Sequence, residues 1–289
     1  MTRRLEHILL TRFNLPSPGA EQLIREQDGW LRERVQLFEQ FCLPSVRAQT
    51  ERRFHWIVYI DPRSPEWFMQ WVEGATADGT FHAVPRAQVP RDLLMQDIRR
   101  VAGCEPETLI TTNLDNDDGL AVDFVARVQA QTTVSGRTAV YMTRGLIWAG
   151  GGLYLRTDRH NAFVSVREPW ESAVTCWSEW HNRLHLQMPT VEADGAPAWL
   201  QVVHGSNVSN RVRGRRVPPA PYARLFGQLL DDVEAPSVGD IVVDTLLHVP
   251  RRAVREAVRA VAKRLVTTLL GREGVDRLRR SRASARTRA

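Results

Sequence analysis

Three carboxylates fall within four residues, Asp115, Asp117 and Asp118, directly after the apolar run Thr108-Leu-Ile-Thr-Thr-Asn-Leu114. In an extended segment Asp115 and Asp117 point to one side. Both can then reach a single divalent cation, or one can hold the cation while the other accepts a hydrogen bond from a sugar hydroxyl. Hard, oxygen-seeking Mn2+ or Mg2+ suits such ligands, with a diphosphate completing the shell. The plainer alternative is an Asp-rich turn followed by a helix capped by Asp117 or Asp118.

The elements on either side decide where such a cluster can sit. His7-Ile-Leu-Leu-Thr-Arg-Phe13 reads as a first strand closed by the breakers Asn14, Pro16, Pro18 and Gly19. From Asp28 to about Gln49 the apolar period becomes helical, with Trp30, Leu31, Val35, Leu37, Phe38, Phe41 and Cys42 near one face, and Pro44 is expected to kink or divide it. Phe54-His-Trp-Ile-Val-Tyr-Ile-Asp61 has the unbroken apolar content of a strand buried on both faces, ending in a polar residue. A short helix over 65–73, a strand over 81–84, a helix over 91–101, the strand over 108–114 and a helix over 120–131 follow. This alternation predicts an α/β fold with a doubly wound, mostly parallel sheet, and ligands bind such sheets at the carboxyl ends of the strands. The acidic cluster stands at such an end.

After residue 136 the pattern turns β-rich. Strands are expected over 138–148 and 153–156, joined by Gly150-Gly151-Gly152, with a further one over 162–166. The glycines read first as a tight hairpin and second as a mobile loop.

At 289 residues, 43% hydrophobic and 25% charged, the chain can build one large core. Its charge is uneven. Residues 251–289 hold thirteen Lys or Arg against Glu256, Glu273 and Asp276, a balance of +10, so residues 1–250 carry −4 of the whole chain's +6. A phosphate-tracking domain spreads its cations over a folded face with aromatic groups between them, and this tail has no aromatic residue, so a nucleic-acid partner is not expected. Three widely spaced cysteines, the lack of a signal-peptide pattern and the lack of any apolar run of spanning length lead to a cytoplasmic expectation.

Ile8-Leu-Leu-Thr-Arg-Phe-Asn14, Ile57-Val-Tyr-Ile-Asp61 and Leu114-Asp-Asn-Asp-Asp118 together resemble a GT-A glycosyltransferase. More narrowly, the blocks TRFN, WLRERVQLFEQFCLPSVRAQT, FHWIVYID, TTNLDNDD and VVHGSNVSN, over about residues 7–210, resemble the rhamnosyltransferase family. The resemblance implies a single GT-A-like domain whose residues 1–135 bind a nucleotide-sugar donor and whose residues 136–248 bind the acceptor. It places Thr11 and Phe13 near the nucleotide, Asp61 as acceptor of a hydrogen bond from the base, and Arg91 beside base or phosphate. Asp115 would touch ribose and metal, and Asp117 would hold the cation bridging the diphosphate. A cation there would stabilise the charge that grows on the leaving nucleoside diphosphate.

Such enzymes often complete the metal shell with a downstream histidine, for which His204 is the first choice and His181 the second; a histidine in an apolar run is also a common structural residue. An inverting transfer needs a carboxylate base, and Glu168 and Glu179 have suitable positions along the chain. A retaining transfer needs none. Of Trp170, Trp177, Trp180 and Trp199, one is expected at the sugar and the others in the core.

Between Pro250 and Gly271 the apolar residues recur at helical spacing among Arg251, Arg252, Arg255, Arg259 and Lys263. Residues 249–280 therefore read as a basic amphipathic helix, ahead of a disordered 281–289. The helix could pack on the domain, or dock peripherally on an anionic membrane such as the inner face of the plasma membrane, where lipid-linked acceptors reside. The reading that results is a metal-dependent transfer of a sugar, rhamnose by the family's label, from a nucleotide donor to a glycan or lipid-linked acceptor. Its competitors are a metal-dependent phospho- or nucleotidyltransferase and a non-catalytic carbohydrate-binding protein with a degenerate site.

Overall fold

A computed structural model describes residues 5–16, 29–132, 136–204 and 211–252, with 254, 255 and 258. The first strand, β1 (Leu5–Arg12), is followed by α1 (Trp30–Leu37), a π turn (Phe38–Cys42) and α2 (Leu43–Arg47). The expected division at Pro44 is thus present, but one turn earlier. Pro44 has no N–H to return to residue 40, and the chain widens into a π turn in which the Leu43 N–H reaches the Phe38 carbonyl. Pro44 then occupies the opening turn of α2, where a missing donor does no harm.

The alternation continues through β2 (His55–Ile60), α3 (Glu66–Thr76), β3 (His82–Pro85), α4 (Arg91–Ala102) and β4 (Thr108–Asn113). The helix expected over 120–131 is shorter. A two-residue strand, β5 (Gly119–Leu120), comes first, and α5 (Phe124–Gln129) starts only after Asp123. Neither Asp117 nor Asp118 is therefore a helix cap. The apolar run 138–148 divides at Thr143 into β6 (Thr138–Met142) and β7 (Arg144–Ala149), which lie in different sheets. β8 (Gly152–Thr157) pairs with β7 through a two-residue turn in which Gly150 and Gly151 both have positive φ, the hairpin reading of the glycines. β9 (Ser165–Pro169), β10 (Thr190–Ala193), β11 (Trp199–Val203) and β12 (Arg215–Arg216) complete the strands.

The main sheet has the order β10-β6-β9-β4-β1-β2-β3, and β9 alone runs antiparallel to its neighbours. This is the mostly parallel α/β architecture that the alternation predicts, in keeping with the GT-A-like domain that the resemblance implies. Strands from both sequence halves share the sheet. β1, β2 and β4 are buried on both faces, and Trp56, Phe38, Phe68 and Phe124 fill the core on one side while Tyr59, Ile98 and Tyr141 fill the other. The second sheet, β12-β8-β7-β11-β5, carries β11 beside β5, so the chain after Val203 arrives next to the turn that follows β4.

Candidate active site at the carboxyl edge of the main sheet

β4 ends at Asn113 and the chain turns at once, with the Asp118 N–H returning to the Asp115 carbonyl at 3.3 Å. The segment is a turn, not the extended stretch expected, and it separates the acids. Asp115 opens to solvent, while Asp117 and Asp118 are buried. Three bonds fix the turn. The Thr11 hydroxyl donates to the Leu114 carbonyl at 2.7 Å, the Asn116 amide donates to the Phe13 carbonyl at 2.6 Å, and the Val202 N–H donates to Asp118 Oδ1 at 2.8 Å.

Thr11 and Phe13 therefore meet the site differently from what the resemblance implies. The Thr11 hydroxyl also accepts from Trp56 Nε1 at 2.9 Å, and the Phe13 ring packs among Phe38, Phe68 and Trp71. Both side chains belong to the core, and they bear on the site through the backbone they hold. Arg12, between them, points the other way and lies over the Trp177 ring at 4.0 Å. Alternation along a strand carries this signal.

Asp117 is the centre of a charged cluster. Its Oδ2 accepts from the Arg34 guanidinium and faces His204 Nε2 at 2.9 Å, while His204 Nδ1 lies 3.4 Å from Glu33. α1 thus sends two neighbouring residues to the turn. Arg34 is 8% exposed, and its buried Nε has no hydrogen-bond partner among the described residues. Burial alone would raise the Asp117 carboxyl, but the hydrogen bond from His204 and the Arg34 charge outweigh it and hold the group below its usual range. Asp115 behaves oppositely. Desolvation by the protein packed around it, and then the Asp117 charge, push it up to about 6, against Asn113, Arg12 and Arg34. Burial, and then the Asp117 and Asp115 charges, push Asp118 well above the carboxylate range.

Arg34 was not among the residues singled out from sequence, although a signal existed. It falls four residues after Trp30 and four before Phe38, inside the apolar stripe of the helix. A charge in that stripe needs a buried partner.

Asp61 sits at the end of β2. Its N–H donates to Asn14 Oδ1 at 2.9 Å, and its carboxylate accepts from Arg63 at 3.1 and 3.2 Å. Arg91 does not reach this edge with its side chain: its guanidinium donates to the Ala173 carbonyl and ties residues 170–177 to α4.

Of the two candidate bases, Glu168 is misplaced. β9 runs antiparallel, so Glu168 pairs with Leu109 near the opposite end of β4, six residues or about 20 Å along the strand from Asp115. It is 1% exposed, and its oxygens are taken by Arg137, the Val174 N–H and the Thr175 N–H. Glu179 follows Trp177, whose Nε1 donates to Asn113 Oδ1 at 2.8 Å at the carboxyl end of β4. It is half-buried and accepts from the Trp180 N–H.

Trp170 and Trp199 are core residues, whereas Trp180 is 69% exposed. His181, the second histidine, presents its carbonyl to the Tyr141 hydroxyl. Residues 205–210 of the VVHGSNVSN block lie outside the described residues. Among the described residues no group of three or more His, Cys, Asp and Glu side chains is arranged to hold a metal ion.

Comparison with known proteins closes the description. A family model described as "Putative rhamnosyl transferase" matches residues 6–216. No curated protein matches. Among solved structures, the chain is similar to a putative nucleotide-diphospho-sugar transferase from Desulfovibrio desulfuricans G20, with 9% identity over 69% of this chain and 81% of that one and a TM-score of 0.33. TarS 1-349 from S. aureus, in complex with UDP, shows 10% identity over 69% of this chain and 60% of that one, with a TM-score of 0.39. The inositol-1-phosphate CTP transferase from T. maritima shows 10% identity over 81% and 99%, with a TM-score of 0.38.

Proposed function

The chain belongs to the glycosyltransferase family described as "Putative rhamnosyl transferase", and we propose that it moves a sugar from a nucleotide-sugar donor to a glycan or lipid-linked acceptor. Rhamnose is the sugar that the family's description suggests. The observation that carries this reading is the convergence of Asp61, Asp115, Asp117, Arg34 and His204 on the edge where parallel sheets bind nucleotides.

On this reading the base lies over the β1 and β2 ends, where Asp61, held by Arg63, accepts its hydrogen bond. The open carboxylate of Asp115 receives the ribose. Asp117 keeps its negative charge, because Arg34 and His204 face it. Carboxylate oxygens suit Mn2+ or Mg2+ and an imidazole suits Mn2+ rather than Mg2+, so Asp115, Asp117 and His204 offer the donor types for a divalent cation, although among the described residues they are not arranged around one point. When bound, that cation would neutralise charge on the departing diphosphate. Arg34 adds a fixed positive charge at the same turn, in a site shielded from water where charge acts strongly.

The acceptor enters from the side of residues 177–187. The exposed Trp180 ring offers a face for a pyranose, and Glu179 beside it is the base if the transfer inverts configuration. The test is release of nucleoside diphosphate from a panel of UDP-, GDP- and dTDP-sugars. One donor is expected to be turned over with Mn2+ or Mg2+ present, and Asp115→Asn and Asp117→Asn should each slow it about 100-fold or more. Turnover of no donor, or turnover indifferent to both substitutions, contradicts the reading.

A further inference from the structure

Residues 238–252 run as one helical stretch: α6 (Val238–Val243), a π turn (Asp244–His248) and helical residues 249–252. Its fifteen residues span about 22 Å. The stretch is attached by its polar side. Asp244, 4% exposed, accepts from the Arg216 N–H at 2.8 Å and from Arg252, and Arg252 donates to the Gly214 carbonyl at 2.9 Å and lies over the Tyr154 ring at 5.4 Å. The π turn shifts the inward register by one residue, so that Val249 and Arg252 follow Asp244 onto the buried face.

The apolar side faces out. Val238 is 79% exposed, Leu246 67%, Leu247 64% and Val254 62%. Of the nine large apolar side chains that stand exposed among the described residues, seven lie between Val238 and Val258. None of these joins any of the three core clusters. An amphipathic helix normally buries its apolar stripe against its own domain, and here that stripe is left to another partner.

Charge identifies the partner. The segment that ends in β12 and is clamped to this helix is Arg211-Val-Arg-Gly-Arg-Arg216, in which Arg211 and Arg215 are exposed, and the helix itself presents Arg251 and Arg255. Residues 251–289 carry the balance of +10. Exposed leucines and valines flanked by arginines are complementary to a bilayer surface with anionic headgroups, where the apolar stripe enters the headgroup boundary and the guanidinium groups meet the phosphates. No helix among the described residues is long and apolar enough to cross a membrane.

We propose that residues 238–252, with Val254, Arg255 and Val258 and the arginine-rich segment 211–216, form a surface by which the protein docks on an anionic lipid bilayer. Docking brings the candidate active site with it. Arg216 pairs with Tyr154, Tyr154 with Ile147, and Ile147 with Gln201, three residues before His204. Arg216, whose N–H donates to Asp244 of the helix, therefore stands about 14 Å across the strands and about 10 Å along them from His204, which faces Asp117. An acceptor held in the same bilayer is within reach. The docking itself does not depend on the donor chemistry.

The test is co-sedimentation of the full chain with vesicles of phosphatidylcholine alone and of phosphatidylcholine mixed with phosphatidylglycerol. Binding is expected only with phosphatidylglycerol. It should weaken as salt rises from about 0.1 M to about 1 M, which shortens the screening length from about 10 Å to about 3 Å. Leu246→Glu with Leu247→Glu, and separately Arg251→Glu with Arg255→Glu, should each weaken partitioning about tenfold or more. Because these side chains are exposed, the melting temperature should stay unchanged, and Leu246→Ser with Leu247→Ser serves as a milder second variant. Three results would overturn the proposal: no binding to the anionic vesicles, binding indifferent to the leucine substitutions, or a dimer in solution that the leucine substitutions disperse while vesicles remain unbound.

Discussion

Arg34 and Asp117 form the pair on which the candidate site depends. Their side chains are 10% and 7% exposed, and removing Arg34 takes from the buried Asp117 charge its permanently cationic partner and leaves it facing His204 alone. Arg34→Ala is expected to lower unfolding free energy by about 3 kcal/mol or more in urea melts. If Asp117 also receives a divalent cation, Mn2+ should restore part of the loss in the variant and raise its melting temperature by more than it raises the wild type's. A variant as stable as wild type would show that the guanidinium is not the carboxylate's partner. The sequence made the acids legible, because three Asp residues at the end of an apolar strand have no packing explanation. It also suggested His204, which lies 2.9 Å from Asp117. It did not reveal that Asp115 and Asp117 occupy such different environments, since that follows from the turn rather than from spacing. Glu168 misled because antiparallel β9 carries it to the far end of β4, and strand direction cannot be read from an isolated apolar run.

Elements were legible where periodicity was strong. β1 to β4 and the helices between them lie within a few residues of the reading, because buried parallel strands and amphipathic helices carry distinct apolar periods. The run 138–148 was not legible as two strands. The chain passes at Thr143 from one sheet to the other, and both strands are apolar, so composition shows no break. The crossing is made possible by Gly145, where an added Cβ would lie 2.0 Å from the Trp199 ring. That ring is stacked on Phe163 at 5.0 Å and donates through Nε1 to the Met142 carbonyl at 2.8 Å, so it cannot retreat. Gly145→Ala should destabilise the protein by about 2–3 kcal/mol or more through overpacking. A thermal melt unchanged by this substitution would mean that β7 and β11 can separate without loss.

For the molecule as a whole, charge and stability divide along the chain. The acidic body and basic tail are evident from counting, whereas the outward apolar face of the helix at 238–252 is not, because the π turn at Asp244–His248 breaks the regular helical period of its apolar residues. Residues 259–280 of the expected basic helix lie outside the described residues.

Acid stability should be set in part by His7. It is fully buried on β1 with Nε2 2.8 Å from the Thr112 hydroxyl, and burial lowers its pKa from 6.5 to about 3, with the Glu51 charge opposing weakly. Below about 6.5 the unfolded chain takes up a proton that the folded chain refuses until about 3. This stabilisation is therefore present above about 6.5 and is lost as pH falls. Between about pH 7 and about pH 4.5 the loss should be about 2 kcal/mol in urea melts, and His7→Gln should remove that component. An acid limb identical in wild type and variant would show that His7 is protonated in the folded state.

On the proposed reading, the Asp115 to Asp118 turn at the carboxyl edge of the main sheet is a nucleotide-sugar site. The most direct measurement is thermal stabilisation by UDP, GDP and dTDP, each with and without Mn2+, on the wild-type chain and on Asp117→Ala. A ligand that binds only the folded state raises its apparent stability by mass action, so the assay needs no acceptor. One diphosphate is expected to raise the melting temperature when Mn2+ is present, and Asp117→Ala is expected to abolish the shift. No shift with any diphosphate, or the same shift in Asp117→Ala, would contradict the reading.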